Sequence, residues 1–304
     1  METGKKMENV RIKARVIKSN IIMILSTLAA LYGIVFLGWI LVSIIYHGYQ
    51  YLNLDFFIKD PAPPGMPGGG LKMAFVGQFL ITTIAALIGT PIGIMAGIFL
   101  AEYGRGTWWA MFIRNLADIV ISMPAIVIGA AVYVILVAPL HSFNGLSGSV
   151  ALSILSLPYI TIATDEMLKL VPKEMREAAY ALGAYKHYVI KRVTMRAAKT
   201  GILTGVILGL ARMAGEAAPL LFTSFNNDHT TFNLLKPMAT LTITIFIYAT
   251  GPYHEWHEQA WAAGFVLTMG VLLAVIVAKY LVHGKSFTAP FMYVARRIAQ
   301  INKG

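Results

Sequence analysis

The sequence predicts an all-α integral membrane protein, a bundle of six transmembrane helices, from three observations. Hydrophobic residues make up 57% of the 304 residues and charged residues only 13%, about half the charged fraction of a soluble domain. Several apolar runs reach the roughly 20 residues that a helix needs to cross the hydrocarbon layer. Finally, 19 of the 25 lysines and arginines fall in alternate segments between these runs, as expected when basic loops stay on the cytoplasmic side.

The predicted domain organisation is one membrane domain, residues 21–283, between a cytoplasmic N-terminal segment, 1–20, and a cytoplasmic C-terminal tail, 284–304. The apolar runs within this domain predict six spans, in order 21–46, 74–100, 117–138, 147–165, 199–222 and 258–282.

The first four spans each carry a local feature that bears on this prediction. The first is too long for the core of a signal peptide and is read as a retained helix. A Pro- and Gly-rich loop, 60–70, separates it from the second span because such a sequence cannot continue a helix. The second, third and fourth spans contain Pro91, Pro124 and Pro158, which kink a helix and are tolerated where neighbouring helices satisfy the freed backbone groups.

The orientation follows from the basic residues. With the N-terminus in the cytoplasm, the inner segments are 1–20, 101–116, 166–198 and 283–304, and both termini are cytoplasmic. The outer loops then hold only Lys59, Lys72 and Lys236. The net charge of +11 is therefore accounted for by membrane topology, which excludes a nucleic-acid partner and leaves membrane lipid as the surrounding medium.

The fifth predicted span contains two charged residues, Arg212 and Glu216, within "GLARMAGEAAPLL". On a continuous helix both share a stripe less than about 90° wide with Gly201, Gly205 and Gly209. Those glycines form two overlapping GxxxG units, which allow close helix packing. The stripe therefore faces protein or a wet cavity. The charged pair is either a structural salt bridge or a polar site that a solute contacts as it crosses the membrane. In the second case arginine favours an oxyanion as the solute.

The cytoplasmic loop 166–198 predicts a short helix. Pro172 suits its first turn and Gly183 can end it. Ala178, Ala179 and Leu182 form a small apolar patch on one side. This patch fits either insertion into a partner's groove or an ordinary solvated helix.

The stretch "EAAYALGA", 177–184, resembles the EAA motif of the permease subunits of ABC importers. The resemblance implies that Glu177, Ala178, Ala179, Leu182 and Gly183 belong to the coupling helix that docks on an ATPase subunit. The family pattern continues to Ile-x-Leu-Pro, where this chain has Val193, Met195 and Arg196 instead.

Four stretches together resemble the A-type permease subunits of phosphate-specific ABC importers: "TPIGIMAGIFLAEYG", "SMPAIVIG", "DEMLKLVPKEMREAAYALGA" and "GLARMAGEAAPLLFT". The resemblance implies the type I permease fold, a prokaryotic cytoplasmic membrane location, and phosphate passage at Arg212 and Glu216. It also implies pairing with a related permease subunit, expected as a heterodimer, although the sequence leaves an identical pair open. Two ATPase subunits and an extracytoplasmic phosphate-binding protein complete the expected importer.

The sequence offers no catalytic set, no metal-binding pattern and no cofactor motif, and it contains no cysteine. We therefore expect a translocation subunit, not an enzyme, with ATP bound by the partner ATPases. One alternative is an ABC permease for another oxyanion or small solute. A second is an ion-coupled secondary transporter, which should show inverted repeats and would leave the cytoplasmic helix unexplained.

Overall fold

The computed structural model describes residues 2–283, and the regular secondary structure in this range is helical, without strands. The predicted tail, 284–304, lies outside the described residues. Five described helices are long and apolar enough to cross a membrane, and a bent pair supplies a sixth. The helices are α1 Glu2–Gly48, α2 Leu54–Ile58, α3 Lys72–Ile98, α4 Trp108–Ser122, α5 Ala125–Val132, α6 Ala138–Leu140, α7 Gly145–Lys169, α8 Lys173–Ala181, α9 Lys186–Tyr188, α10 Met195–Ala214, α11 Leu241–Thr250 and α12 His254–His283.

Helix α7 lies at the centre of the bundle between α3 and α10, and most of its middle is buried. Both neighbours approach it through rows of glycines spaced four residues apart. On α3 these are Gly89, Gly93 and Gly97, which face Ser156, Ile160 and Thr164 of α7. A Cβ atom at the last of these glycines would lie 2.5 Å from the Cβ of the threonine. The missing side chains therefore let the helix backbones come close.

The row on α10 is the one that the sequence predicts. Gly201 faces Met167, Gly205 faces Ala163, and a Cβ at Gly209 would lie 3.1 Å from the side chain of Ile160. Helix α7 is thus enclosed by two glycine-lined helix faces.

The third predicted span, 117–138 with a kink at Pro124, is broken into two helices, α4 and α5. The helix begins earlier, at Trp108, and the chain bends by 108° between α4 and α5. Met123 and Pro124 have extended ψ angles of 138° and 133°, respectively. The proline removes a backbone donor and forces the residue before it out of the helical region, which explains the break.

The fifth predicted helix also differs from the prediction. Helix α10 ends at Ala214, and the rest of the predicted span forms a turn followed by one 3₁₀ turn, Leu220–Phe222. Gly215 and Pro219 disfavour a longer helix. The sequence reading also missed α11, which has ten residues and is too short to span the bilayer.

Helix α1 extends through both the predicted N-terminal segment and the first span. It packs on α12 near its C-terminal end, where the His47 ring stacks on Trp261 with 4.8 Å between centroids. From Val16 to Tyr46 most of its apolar side chains are exposed in the isolated subunit.

Candidate functional site

Arg212 lies in the last turn of α10, between a carboxylate and an aromatic ring. Its Nη2 atom is 3.4 Å from Oε1 of Glu216. Its Cζ atom is 5.0 Å from the ring centroid of Tyr159 on α7, within the range of a cation–π contact. The arginine side chain is 54% exposed, whereas the glutamate side chain is 21% exposed. The guanidinium is therefore held on two sides and open on another.

The contact between Arg212 and Glu216 does not arise from helical periodicity, as the sequence reading assumed. Glu216 lies two residues beyond the end of α10, in a turn that begins with a hydrogen bond from the Gly215 N–H to the Arg212 carbonyl, 3.2 Å. The predicted stripe is wrong for this residue, since glycine favours ending the helix at that point. The structure nevertheless brings the two charged side chains together.

Two neighbouring helices fix the turn after α10. The Glu216 carbonyl accepts a hydrogen bond from Thr242 Oγ1 on α11, 3.2 Å, and the Ala214 carbonyl accepts one from Gln78 Nε2 on α3, 3.1 Å. Satisfied carbonyl groups at a helix end stabilise an irregular backbone within the membrane. The backbone that carries the Glu216 side chain is thereby held by α10 itself and by its neighbours α3 and α11.

Tyr159 is the site residue that sequence reasoning missed. It reaches Arg212 because α7 and α10 touch at Gly209, where a Cβ atom would lie 3.8 Å from the Cβ of Tyr159. No spacing along the chain relates Tyr159 to Arg212, because they lie on different helices. The only local signal was its position directly after Pro158, inside a predicted span.

Chemically, this arrangement suits a small oxyanion. The guanidinium is permanently charged, and its planar set of N–H donors matches two oxygens of such an anion at once. Glu216 places a counter-charge beside the guanidinium, and such a partner reduces the cost of keeping an arginine within a membrane helix.

The predicted cytoplasmic helix is present as α8, and its C-terminal end is well defined. The Gly183 N–H donates to the Tyr180 carbonyl at 2.9 Å, and the Ala184 N–H donates to the Ala179 carbonyl at 3.2 Å. These two bonds form a Schellman motif, which needs a left-handed residue at its centre. Gly183 supplies it with φ of 80°.

The end of α8 presents apolar side chains to water. Leu182 is 89% exposed, and Glu177 and Ala178 are exposed beside it. A hollow of about 490 Å³ adjoins this turn. Its lining comes from both sides of the turn and comprises Ala179, Leu182, Gly183, Ala184, Tyr185, His187, Tyr188 and Val193. Exposed apolar groups around a hollow are typical of a surface that binds another protein.

In the described part of the chain, residues 2–283, no cluster of three or more His, Asp or Glu side chains is arranged to hold a metal ion.

The sequence matches one family over residues 89–286, that of the binding-protein-dependent transport system inner membrane components. It is also similar to proteins named phosphate transport system permease protein PstA. The protein from Yersinia pestis is 46% identical over 262 residues, which cover 86% of this chain and 89% of the relative. The protein from Pasteurella multocida is 42% identical over 280 residues, covering 92% of this chain and 100% of the relative.

An archaeal relative from Methanocaldococcus jannaschii, named probable phosphate transport system permease protein PstA, is 34% identical over 86% of this chain and 92% of its own length. Among solved structures, a chain of a bacterial alginate ABC transporter superposes with a TM-score of 0.63 at 14% identity, covering 87% of this chain and 93% of that chain. A chain of the MetNI methionine ABC transporter gives a TM-score of 0.56 at 16% identity, over 68% and 92% of the two chains. These structures support the fold.

Proposed function

This chain belongs to the family of binding-protein-dependent transport system inner membrane components, and we propose that it is the permease subunit of an ATP-driven importer of inorganic phosphate. The observation that carries the proposal is Arg212, whose guanidinium is half exposed at the end of α10 and is held by Glu216 and Tyr159. The names of the relatives, all phosphate transport permeases, support the choice of phosphate.

The energetics of the membrane favour a functional role for this arginine. An arginine at the centre of a membrane helix costs about 2.5–3.5 kcal/mol on insertion scales. A half-exposed ion pair to Glu216 offsets only about 1 kcal/mol or less of such a cost. A phosphate ion meeting the open side of the guanidinium would gain charge-assisted hydrogen bonds that an apolar side chain could not provide.

The subunit would provide half of the translocation path, with a second, related permease subunit providing the other half as a heterodimer. Two ATPase subunits would dock on the coupling helices, here on the surface around Glu177, Ala178, Ala179, Leu182 and Gly183. An extracytoplasmic phosphate-binding protein would deliver the ion. ATP would be bound and hydrolysed by the partners, and both termini of this chain would be cytoplasmic.

The test is uptake of labelled phosphate by the complete complex in proteoliposomes containing the binding protein and ATP. We expect the uptake of labelled phosphate to require ATP. Excess sulfate should not inhibit it. Stronger competition by another oxyanion or a neutral solute would favour a permease for that solute. Uptake driven by a proton gradient without ATP would contradict the importer assignment and favour a secondary transporter.

A further inference from the structure

The cytoplasmic end of α3 holds the loop that contains α8 at two points. Beyond Ile98 the helix widens into a π-helical segment, Phe99–Tyr103. Glu102 in this segment accepts a hydrogen bond from Nη2 of Arg176 on α8, at 3.0 Å. The next residue, Tyr103, has its ring under the ammonium of Lys186, with 4.4 Å from Nζ to the ring centroid.

These two attachments flank the exposed turn at Leu182 and Gly183. Arg176 precedes that turn and Lys186 follows it, yet both contact consecutive residues of one short segment. The end of α3 therefore holds the chain on both sides of this exposed turn.

The attachment through Arg176 is shielded from water. The side chains of Arg176 and Glu102 are only 11% and 8% exposed. The same Nη2 atom also donates to the Leu168 carbonyl near the end of α7, at 2.6 Å. Breaking such a buried pair leaves a charge without its partner, so the contact resists separation far more than a surface ion pair does.

Helices α3 and α7 are themselves in close contact just before this point. A Cβ atom at Gly97 would lie 2.5 Å from Thr164 Cβ, so the two helices pack closely there. Helix α7 also carries Tyr159, whose ring contacts Arg212. A displacement of α8 that is passed to α7 would reach the arginine.

We propose that Glu102 and Arg176 are positioning residues that fix α8 to the cytoplasmic ends of α3 and α7, so that these three elements move as one unit when the ATPase moves. The inference rests on the proposed function, because it assumes that an ATPase docks on α8. It adds the residues that connect this docking surface to the solute site.

The first experiment measures ATP hydrolysed per phosphate imported by the reconstituted complex. Glu102→Gln and Arg176→Met should each raise this ratio by about fivefold or more, the lower end of the usual coupling between two sites. Crosslinking of the ATPase to α8 should persist, because the exposed turn at Leu182 and Gly183 is unchanged. The matched control is Lys59→Met, which breaks an exposed ion pair with Asp55 whose side chains are 58% and 49% exposed. This control should keep the wild-type ratio.

A variant at Glu102 or Arg176 that assembles and keeps the wild-type ratio would overturn the proposal. A second experiment decides the matter if these variants do not assemble. The chain contains no cysteine, so Tyr103→Cys and Lys186→Cys introduce its only two thiols, which a short bismaleimide can join within the chain. Because the two segments are proposed to move together, the joined complex should keep its phosphate uptake.

Loss of uptake on joining the thiols would show that the segments must separate during transport, and the proposal would be wrong. Failure of the proposed function gives a different result, since the wild-type complex would then import no phosphate at all.

Discussion

Replacing Arg212 by lysine should lower phosphate uptake by about 10- to 150-fold. Lysine keeps the positive charge but lacks the planar set of donors that can bind two oxygens of one anion. One lost hydrogen bond to a charged group corresponds to about 1.5–3 kcal/mol, and each 1.4 kcal/mol is a factor of about ten in rate or affinity.

The structure separates this loss from a loss of stability. The arginine is 54% exposed and its ion pair with Glu216 is 3.4 Å long, so the pair contributes about 1 kcal/mol or less to assembly. A decrease in uptake well beyond about fivefold, at an unchanged amount of complex, therefore points to the solute and not to the ion pair.

The assay is the initial rate of labelled phosphate uptake below saturation, divided by the amount of assembled complex in the membrane. Arg212→Ala should abolish uptake, because it removes the donors and leaves Glu216 unpaired. Arg15→Lys, an exposed arginine of α1 far along the chain from the site, serves as the matched control and should have no effect.

Two results would refute the reasoning about Arg212. Uptake at the wild-type rate in Arg212→Ala would exclude a role in phosphate passage. A decrease that only follows the loss of assembled complex would make the ion pair with Glu216 a structural feature.

Three further predictions concern the α8 turn, the α10 glycine row and Glu216. Gly183→Pro should reduce crosslinking to the ATPase and uptake while the subunit still inserts, because proline cannot adopt φ of 80°; unchanged crosslinking would contradict the docking role. Gly205→Ala should lower the thermal unfolding midpoint of the purified complex, because the new Cβ would overlap that of Ala163. The control Gly270→Ala, which has open space around it, should leave the midpoint unchanged or raise it slightly. Equal midpoints for the two variants would exclude tight packing at Gly205. Glu216→Gln should leave the amount of complex nearly unchanged but slow uptake, since the arginine loses its counter-charge; a wild-type uptake rate would argue against that role.

Local features of the chain were readable from the sequence. Apolar runs predicted the helical membrane fold and the five spans that the structure shows as single long apolar helices, because helix insertion depends on composition along a single segment. Arg212 was identified as unusual for the same reason, since a charge within an apolar run is costly wherever the neighbours lie. The end of α8 was predicted at Gly183, because ending a helix requires only a few adjacent residues.

Tertiary structure decided how these segments meet. Pro124 indicated a kink, but the 108° angle and the packing of both α4 and α5 on α7 are visible only in the tertiary structure. Glu216 kept its contact with Arg212 although α10 ends before it, since hydrogen bonds from α3 and α11 fix the turn.

The same holds for partners that are distant in sequence. Tyr159 reaches Arg212 only because two helices touch along a glycine row. Glu102 and Arg176 are 74 residues apart, and neither is unusual in a segment that the sequence predicts to lie outside the apolar spans. Local patterns determine which segments become membrane helices. Close packing between helices determines which side chains, distant in sequence, share one site. Contacts between such side chains form, and contribute to stability, only after the helix backbones have packed together.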